Sequence, residues 1–162
     1  MSSIVLRADV RPSDVSSVRR IVQSTRFFHE FEVDIAVELV EERLARGAAS
    51  GYEFVFADET SETRGYACYG LIGCTQGSYD LYWVAVDDRS QGRGIGRRLL
   101  EETERRIAEA GGRRVYIETS NRPLYQSTRG FYQKCGYLQE AVLKDFYAPN
   151  DDKVIYVKSL VD

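Results

Sequence analysis

The chain has 162 residues, 43% of them hydrophobic and 29% charged, which is typical of one folded domain with its own core. A net charge of −3 and the lack of any basic run argue against nucleic acid as a partner, because phosphates are bound by basic surfaces. No apolar run approaches the roughly 20 residues that span a bilayer, and the N-terminal residues lack a signal peptide's apolar segment. We therefore expect no membrane partner and a cytoplasmic location.

Metal sites and disulfides are not expected from the cysteine and histidine content. Cys68, Cys74 and Cys135 are odd in number and form no CxxC pair, and His29 is the one histidine. This usage is typical of reduced thiols in a cytoplasmic protein. The sequence predicts a protein without a metal cofactor.

The first half of the chain predicts a strand, two helices and three strands. They lie in SIVLRAD, RPSDVSSVRRIVQS, EFEVDIAVELVEERLARG, YEFVFADE, RGYACYGLIG and SYDLYWVAV. Pro12 and Ser13 mark the entry of the first helix, and Gly47 ends the second. The apolar face of the first helix consists of Val15, Val18, Ile21 and Val22. The aromatic and β-branched runs around the polar turn ETSET favour an antiparallel pair.

The second half predicts a helix from Gly94 to Ala110, with Ile95, Leu99, Thr103, Ile107 and Ala110 on its buried face. A strand in RRVYIETS and a short helix from Pro123 to Gly136 follow. The last two strands lie in YLQEAVLKDFY and KVIYVKSL, around the turn APNDD. The order β-α-α-β-β-β-α-β-α-β-β predicts a mixed α/β (α+β) sheet flanked by helices, in one domain over residues 1–162.

The stretch QGRGIG, from Gln91 to Gly96, lies between a predicted strand and a predicted helix. The first turn of a helix has unpaired N–H groups and the positive end of the helix dipole, so it binds anions, and glycines let the backbone approach a phosphate closely. Arg93, Arg97 and Arg98 add positive charge. The stretch predicts a pyrophosphate-binding loop; the alternative is a glycine-rich turn that only joins strand to helix.

Two other phosphate-binding motifs fit this stretch less well. The P-loop pattern GxxxxGK[ST] is absent. The dinucleotide pattern GxGxxG fits Gly92 and Gly94, but its third position falls on Arg97, and the five residues DDRSQ separate the strand from the first glycine. Glu118, at the end of the next strand, is the one feature that favours a dinucleotide, because it could bind a ribose.

The stretch resembles the Q/R-x-x-G-x-G/A motif of the GCN5-related N-acetyltransferases (GNAT family), from Gln91 through Gly94 to Gly96. FYQKCGY resembles that family's second motif near the C-terminus, and the element order resembles the family's fold throughout. The resemblance implies acetyl-CoA as co-substrate. The residues it implies at acetyl-CoA are Val84, Ala85, Val86, Gln91, Gly92, Arg93, Gly94, Ile95, Gly96, Arg97, Tyr125 and Tyr132.

The roles implied by the resemblance differ along the chain. Backbone N–H groups from Gln91 into Arg97 hold the pyrophosphate. Val84 and Val86 bond to the pantetheine arm like an added strand, and an N–H near Val84 or Ala85 faces the acetyl oxygen. The family often has Asn where this chain has Tyr125, and Asn121 lies nearby but is displaced, which puts that one pantetheine contact in doubt.

Acetyl transfer to an amine needs a proton acceptor for the amine and a proton donor for the leaving thiolate. Tyr132 stands where the family often keeps a tyrosine beside the thioester sulfur, and its phenol could protonate the thiolate. Glu118 and Asp80 each resemble a catalytic glutamate of some family members, with Glu118 slightly favoured as the base. A water relay or His29 are alternatives, and each carboxylate could equally be a solvated or ion-paired group.

Phe27, Phe28 and His29 lie where the family usually shapes its acceptor pocket, although the two phenylalanines could equally fill the core. We predict an acetyl-CoA-dependent N-acetyltransferase acting on a primary amine of a small molecule or peptide. A non-catalytic acyl-CoA-binding module on the same fold is the alternative. A homodimer is compatible with the sequence, which indicates no interface.

Overall fold

A computed structural model describes residues 3–161 of the chain. Its elements are β1 Ile4–Arg7, α1 Asp14–Thr25, α2 Glu30–Arg46, β2 Glu53–Glu59, β3 Glu62–Leu71, β4 Ser78–Val86, α3 Ile95–Glu109, β5 Arg114–Ser120, α4 Gln126–Lys134, β6 Leu138–Ala148 and β7 Asp151–Ser159. Short 3₁₀ turns occupy Gly47–Ser50, Asp88–Ser90 and Pro123–Tyr125. The predicted order of strands and α-helices is confirmed.

The strands of residues 3–161 form a seven-stranded sheet in the order β1-β2-β3-β4-β5-β7-β6. The pairs β1–β2 and β2–β3 are antiparallel, whereas β4 and β5 pair in parallel over Ser78–Asp80 and Arg114–Tyr116. β7 is antiparallel to both β5 and β6. The sheet is therefore mixed and flanked by helices, as predicted.

Within the described residues the chain forms two compact units. Unit 1 comprises residues 3–70 and 81–106, and unit 2 comprises residues 71–80 and 107–161. The assignment of residues 1–162 to one domain stays a prediction. No helix of the described chain combines the length and apolar character that a membrane span requires.

The core of unit 1 forms between α1, α2 and one face of the sheet. Val18, Ile21 and Val22 of α1 are fully buried, and Val15 packs against them from the edge, which confirms the predicted apolar face. The sheet contributes an aromatic group in which Phe54 and Phe56 stack with ring centroids 5.6 Å apart. Because burying one such side chain contributes about 1.5–3 kcal/mol, this interface is a main stabiliser of unit 1.

A buried ionic cluster ties β1 to α1 and β2 in unit 1. The guanidinium of Arg7 donates to both carboxylate oxygens of Asp14 at 2.9 Å and to Asp58 at 2.7 Å. Asp14 also accepts from the backbone N–H of Arg11 at 2.7 Å, at the start of α1. Burial alone would raise the pKa of Asp58, but the hydrogen bonds from Arg7 and Thr63 outweigh it and lower that pKa.

Replacing Arg7 with Met should lower the free energy of unfolding by about 3–5 kcal/mol, because Asp14 would keep a buried charge without its partner. Urea unfolding followed by Trp83 fluorescence measures the change. Arg11→Met removes the same charge from a solvent-exposed pair with Asp9 and should leave stability unchanged within error. Equal losses in the two variants would contradict a structural role for the buried cluster.

The core of unit 2 lies on one face of its strands, against the end of α3 and against α4. Val115 and Ile117 of β5 alternate with more exposed neighbours, and Val154 and Tyr156 of β7 continue the same buried face. The edge strand β6 is exposed along most of its length. Tyr137, just before β6, is buried.

Three sequence predictions in the second half of the chain differ from the structure. Ala110 is exposed, because α3 ends at Glu109. The helix predicted from Pro123 begins as a 3₁₀ turn, and α4 starts at Gln126, since Pro123 stands at the first position of that separate turn. The last two strands extend into the predicted turn APNDD: Ala148 pairs with Asp151, so that Pro149 and Asn150 alone form the connection, with Asn150 at φ +63°.

Candidate active site

The glycine-rich loop of unit 1 connects β4 to α3 in an open conformation. Gly92 and Gly94 adopt φ values of +81° and +78°, which residues with a Cβ rarely adopt. An added Cβ at either glycine would meet no atom within 4 Å, so the space beside this backbone is open. The two glycines therefore shape a turn whose backbone a ligand could approach closely.

The start of α3 supplies the donors of this loop. The N–H of Arg98 donates to the carbonyl of Gly94 at 3.1 Å, which makes it the first helical hydrogen bond of α3. The N–H groups of Ile95, Gly96 and Arg97 come before it and have no acceptor one turn back in the helix. Ile95 is buried and anchors this turn. Together with the helix dipole, these donors form a site suited to an anion.

Side chains on either side hold the loop in place. The amide of Gln91 folds back and donates to the carbonyl of Val86 at 3.2 Å, which gives the first residue of the motif a structural task. The guanidinium of Arg93 donates to both oxygens of the buried Glu59, at 3.2 and 2.5 Å. Arg64 also approaches Glu59, at 3.2 Å. Arg93 thus fixes the loop to β2 with its side chain.

The two other arginines of the motif extend from the surface of α3. Arg97 pairs with Glu101 at 3.1 Å in an exposed i,i+4 pair. Arg98 reaches the carbonyl of Ile4 at 3.4 Å. Their charge stays near the helix N-terminus, although both side chains already have partners.

Val84 and Val86 are half-buried at the end of β4, and Ala85 between them is buried.

In unit 2 the structure brings Asp80 and Glu118 together. Asp80 pairs in parallel register with Tyr116, two residues before Glu118, so the two carboxylates lie on the same face. The ammonium of Lys153, on β7, lies 2.8 Å from the Glu118 carboxylate. Burial raises the pKa of Asp80, the charge of Glu118 raises it further, and Lys153 partly opposes the rise.

The predicted general acid, Tyr132, is buried on α4 in unit 2. Its ring packs beside Phe131 and Tyr137, with centroids 5.5 and 6.0 Å away. Burial raises the pKa of its phenol well above the ordinary value, with a smaller contribution from Cys135. Tyr132 therefore keeps its proton at physiological pH, as a proton donor must.

Two neighbouring residues bear on the pantetheine contact that the sequence put in doubt. Tyr125 is half-buried where the 3₁₀ turn meets α4. The amide of Asn121 is committed to β7, because it donates to the Asp152 carboxylate and accepts from the Asp152 N–H, both at 3.0 Å. Asn121 therefore fastens the end of β5 to β7.

The three predicted acceptor-pocket residues lie between α1 and α2 in unit 1. Phe28 is half-buried against the core, and its ring meets that of Trp83 edge to face at 4.9 Å. Phe27 is half-buried beside it. His29 is exposed at the start of α2. Its backbone N–H donates to the Glu32 carboxylate at 3.1 Å, and its ring stacks on that of Phe31. Phe28 thus contributes to the core, and His29 caps a helix.

Comparison with known proteins shows what class of protein this is. The acetyltransferase (GNAT) domain model matches residues 50–139, more than half of the chain. The chain belongs to the GNAT family and is an acetyltransferase.

Individual relatives agree with this assignment. A crystal structure from Desulfovibrio desulfuricans, described as a GNAT-family acetyltransferase, is 48% identical, covers 98% of this chain and all of that one, and superposes with a TM-score of 0.97. Blasticidin-S acetyltransferase of Streptomyces morookaense is 34% identical over 65% of this chain and 76% of its own. An aminoglycoside 6′-N-acetyltransferase solved with coenzyme A has the same fold at 19% identity, with a TM-score of 0.76 and 98% coverage of each chain.

Two residues of the site were not found by sequence reasoning. Glu59 anchors Arg93 across 34 positions, and Lys153 binds Glu118 from a strand that follows much later. No local pattern marks either residue, because each contact depends on strand register. The one signal at Glu59 was an acidic residue at the end of a predicted strand.

Proposed function

We propose that this protein is an acetyl-CoA-dependent N-acetyltransferase that acetylates a primary amine of a small molecule or peptide. The observation that carries the proposal is the open loop at Gly92 and Gly94, which leads into the N-terminus of α3. It has the shape and the N–H donors that a pyrophosphate needs. A structural relative described as complexed with coenzyme A supports the same co-substrate.

Within this proposal, backbone groups bind the co-substrate. The N–H groups between Gln91 and Arg97 hold the pyrophosphate, while Arg93 keeps the loop fixed to Glu59. Val84, Ala85 and Val86 offer backbone groups to the pantetheine arm. Because no side chain occupies the space beside Gly94, the phosphates can approach the backbone closely.

The transfer moves two protons in addition to the acetyl group. The amine nitrogen forms a bond to the acetyl carbon, and the carbon–sulfur bond breaks. A carboxylate, Asp80 or Glu118, accepts the proton that the amine loses. Tyr132 gives its phenolic proton to the departing thiolate, and solvent restores it. Such proton transfers typically contribute about 10²–10⁴-fold each to the rate.

Unit 2 supports a cationic acceptor. Asp80 and Glu118 present two carboxylates on one face, of which Glu118 is paired with Lys153, and Phe146 and Tyr147 are exposed aromatic side chains on β6, which pairs with β7. Burial, and after it the nearby charge of Glu118, raises the pKa of Tyr147 to about 12. Carboxylates attract an ammonium group, and aromatic walls suit its apolar part. Relatives named for blasticidin S and for aminoglycosides support a polar small molecule.

A panel of acceptors should separate this function from its alternatives. We expect thiol release from acetyl-CoA with at least one class among aminoglycosides, polyamines, amino acids and short peptides, and none with hydroxyl analogues of the same molecules. A thiol-reactive chromophore measures the release, and mass spectrometry locates the acetyl group on nitrogen. Tight coenzyme A binding without turnover would instead support the binding module. Turnover with hydroxyl acceptors or aminoacylated RNA alone would contradict the proposed acceptor.

We also propose a cytoplasmic location for the enzyme. Cys68 and Cys135 are buried thiols, and Cys74 is an exposed one. An exposed thiol is more compatible with a reducing compartment than with an oxidising one.

A further inference from the structure

Lys153 occupies a defined place among the three strands of unit 2. It lies on β7 opposite Ser120 of β5 and Leu143 of β6. Its ammonium is 2.8 Å from the Glu118 carboxylate and 3.8 Å above the ring of Phe146. Only 12% of the Lys153 side chain is exposed. A carboxylate and an aromatic face therefore hold this ammonium from two sides.

This contact changes what Glu118 can do. An ion-paired carboxylate gains little from taking a proton, because protonation removes its attraction to the ammonium. Because the Lys153 ammonium already occupies the Glu118 carboxylate, Glu118 is a weak candidate for accepting a proton from an acceptor amine.

Asp80 is in the opposite situation. It is half-buried on the same face, and it forms no ion pair within residues 3–161. The charged groups that act on it are Glu118 of β5 and Lys153 of β7, and the phenol of Tyr147 on β6 lies near Glu118. Burial and the Glu118 charge both favour protonation of Asp80 and outweigh Lys153.

We propose that Lys153 is a positioning residue, which holds Glu118 in an ion pair and leaves Asp80 as the carboxylate that takes the proton from the acceptor amine. The inference rests on the proposed N-acetyltransferase function. The sequence slightly favoured Glu118 as the base, whereas the structure favours Asp80. The amine proton passes to an Asp80 oxygen as the nitrogen–carbon bond forms, and the carbon–sulfur bond breaks to release the thiolate, which takes the proton of Tyr132.

The first test measures the Asp80 carboxyl directly, by carbon-detected NMR titration of the protein without substrate. Lys153→Met removes the nearby cation and leaves the Glu118 charge uncompensated, so the pKa of Asp80 should rise. Glu118→Gln removes the like charge, so that pKa should fall. Lys153→Arg keeps the cation and should keep the Asp80 pKa close to that of the parent.

Lys158→Met is the matched control for this titration. Lys158 is on the same strand, and its ammonium donates to the carbonyl of Cys135 at 2.9 Å, so its loss should not move the Asp80 titration. An Asp80 pKa that is unchanged in both Lys153→Met and Glu118→Gln would overturn the proposal. Glu118→Gln changes a side chain that is 47% exposed, which keeps the test valid if Lys153→Met does not fold.

The second test uses the reaction. Asp80→Asn should lower kcat by about 10²-fold or more and remove the acidic limb of the pH–rate profile, with a smaller loss in Glu118→Gln. Lys153→Met should move that limb to higher pH, and Lys153→Arg should restore it. A lower rate with an unmoved limb in Lys153→Met, or a larger loss in Glu118→Gln than in Asp80→Asn, would overturn the assignment. If the parent acetylates no amine, the proposed function itself fails, while the NMR titration still reports on the three groups.

Discussion

A Gly94→Glu variant should lose measurable affinity for coenzyme A while remaining folded. Gly94 stands at the start of α3 with φ +78°, and a Cβ there would point into open space. That space is where the proposed site places the pyrophosphate, so the Glu side chain would fill it and add a negative charge beside the phosphates. Isothermal titration with coenzyme A measures the loss.

The control for this variant is Gly51→Glu. Gly51 has φ +80° and, like Gly94, no atom within 4 Å of an added Cβ, so both substitutions carry a similar backbone strain. Gly51 lies just before β2 and outside the glycine-rich loop. Gly51→Glu should therefore share the stability loss and keep coenzyme A affinity. Unchanged affinity in a folded Gly94→Glu protein would rule out the loop as the binding site.

The order and type of the elements could be predicted because local chemistry marks them strongly. SYDLYWVAV corresponds to β4 at Ser78–Val86 residue by residue, since alternation and aromatic content both favour a strand there. Gly47 ends α2, as predicted, with φ +60°. Errors arose at element ends: the apolar spacing of α3 continues to Ala110, but the helix ends at Glu109 because Gly111 and Gly112 follow.

Only the part of the candidate site that lies in one continuous stretch of sequence could be predicted. The glycine-rich loop is a continuous stretch, and its geometry follows from Gly92 and Gly94 themselves. The partners of Arg93 and Glu118 come from distant strands, and strand register is not readable from one sequence. The sequence therefore predicted added positive charge from the Arg93 side chain, but not its hydrogen bonds to Glu59. It likewise favoured Glu118 slightly over Asp80 as the base, because the ion pair between Glu118 and Lys153 could not be read from the sequence.

Replacing Tyr132 with Phe should lower kcat by about 10²–10⁴-fold, with coenzyme A affinity nearly unchanged. The substitution keeps the ring that packs on Phe131 and Tyr137 and removes only the hydroxyl. Since burial keeps the phenol protonated across the pH range of the assay, the parent always has the donor form, and the loss in the variant should not depend on pH. Single-turnover kinetics with acetyl-CoA and the best amine measure the chemical step.

Tyr137→Phe separates a chemical role for Tyr132 from a packing role. Tyr137 is also buried, and its ring lies 6.0 Å from that of Tyr132, so its substitution removes a comparable buried hydroxyl from the same core. If Tyr132 acts as a proton donor, Tyr137→Phe should lower stability about as much as Tyr132→Phe and leave kcat within a few-fold of the parent. Full activity in Tyr132→Phe would make Tyr132 a packing residue, because a buried phenol that donates its proton to the thiolate cannot be lost without slowing that step.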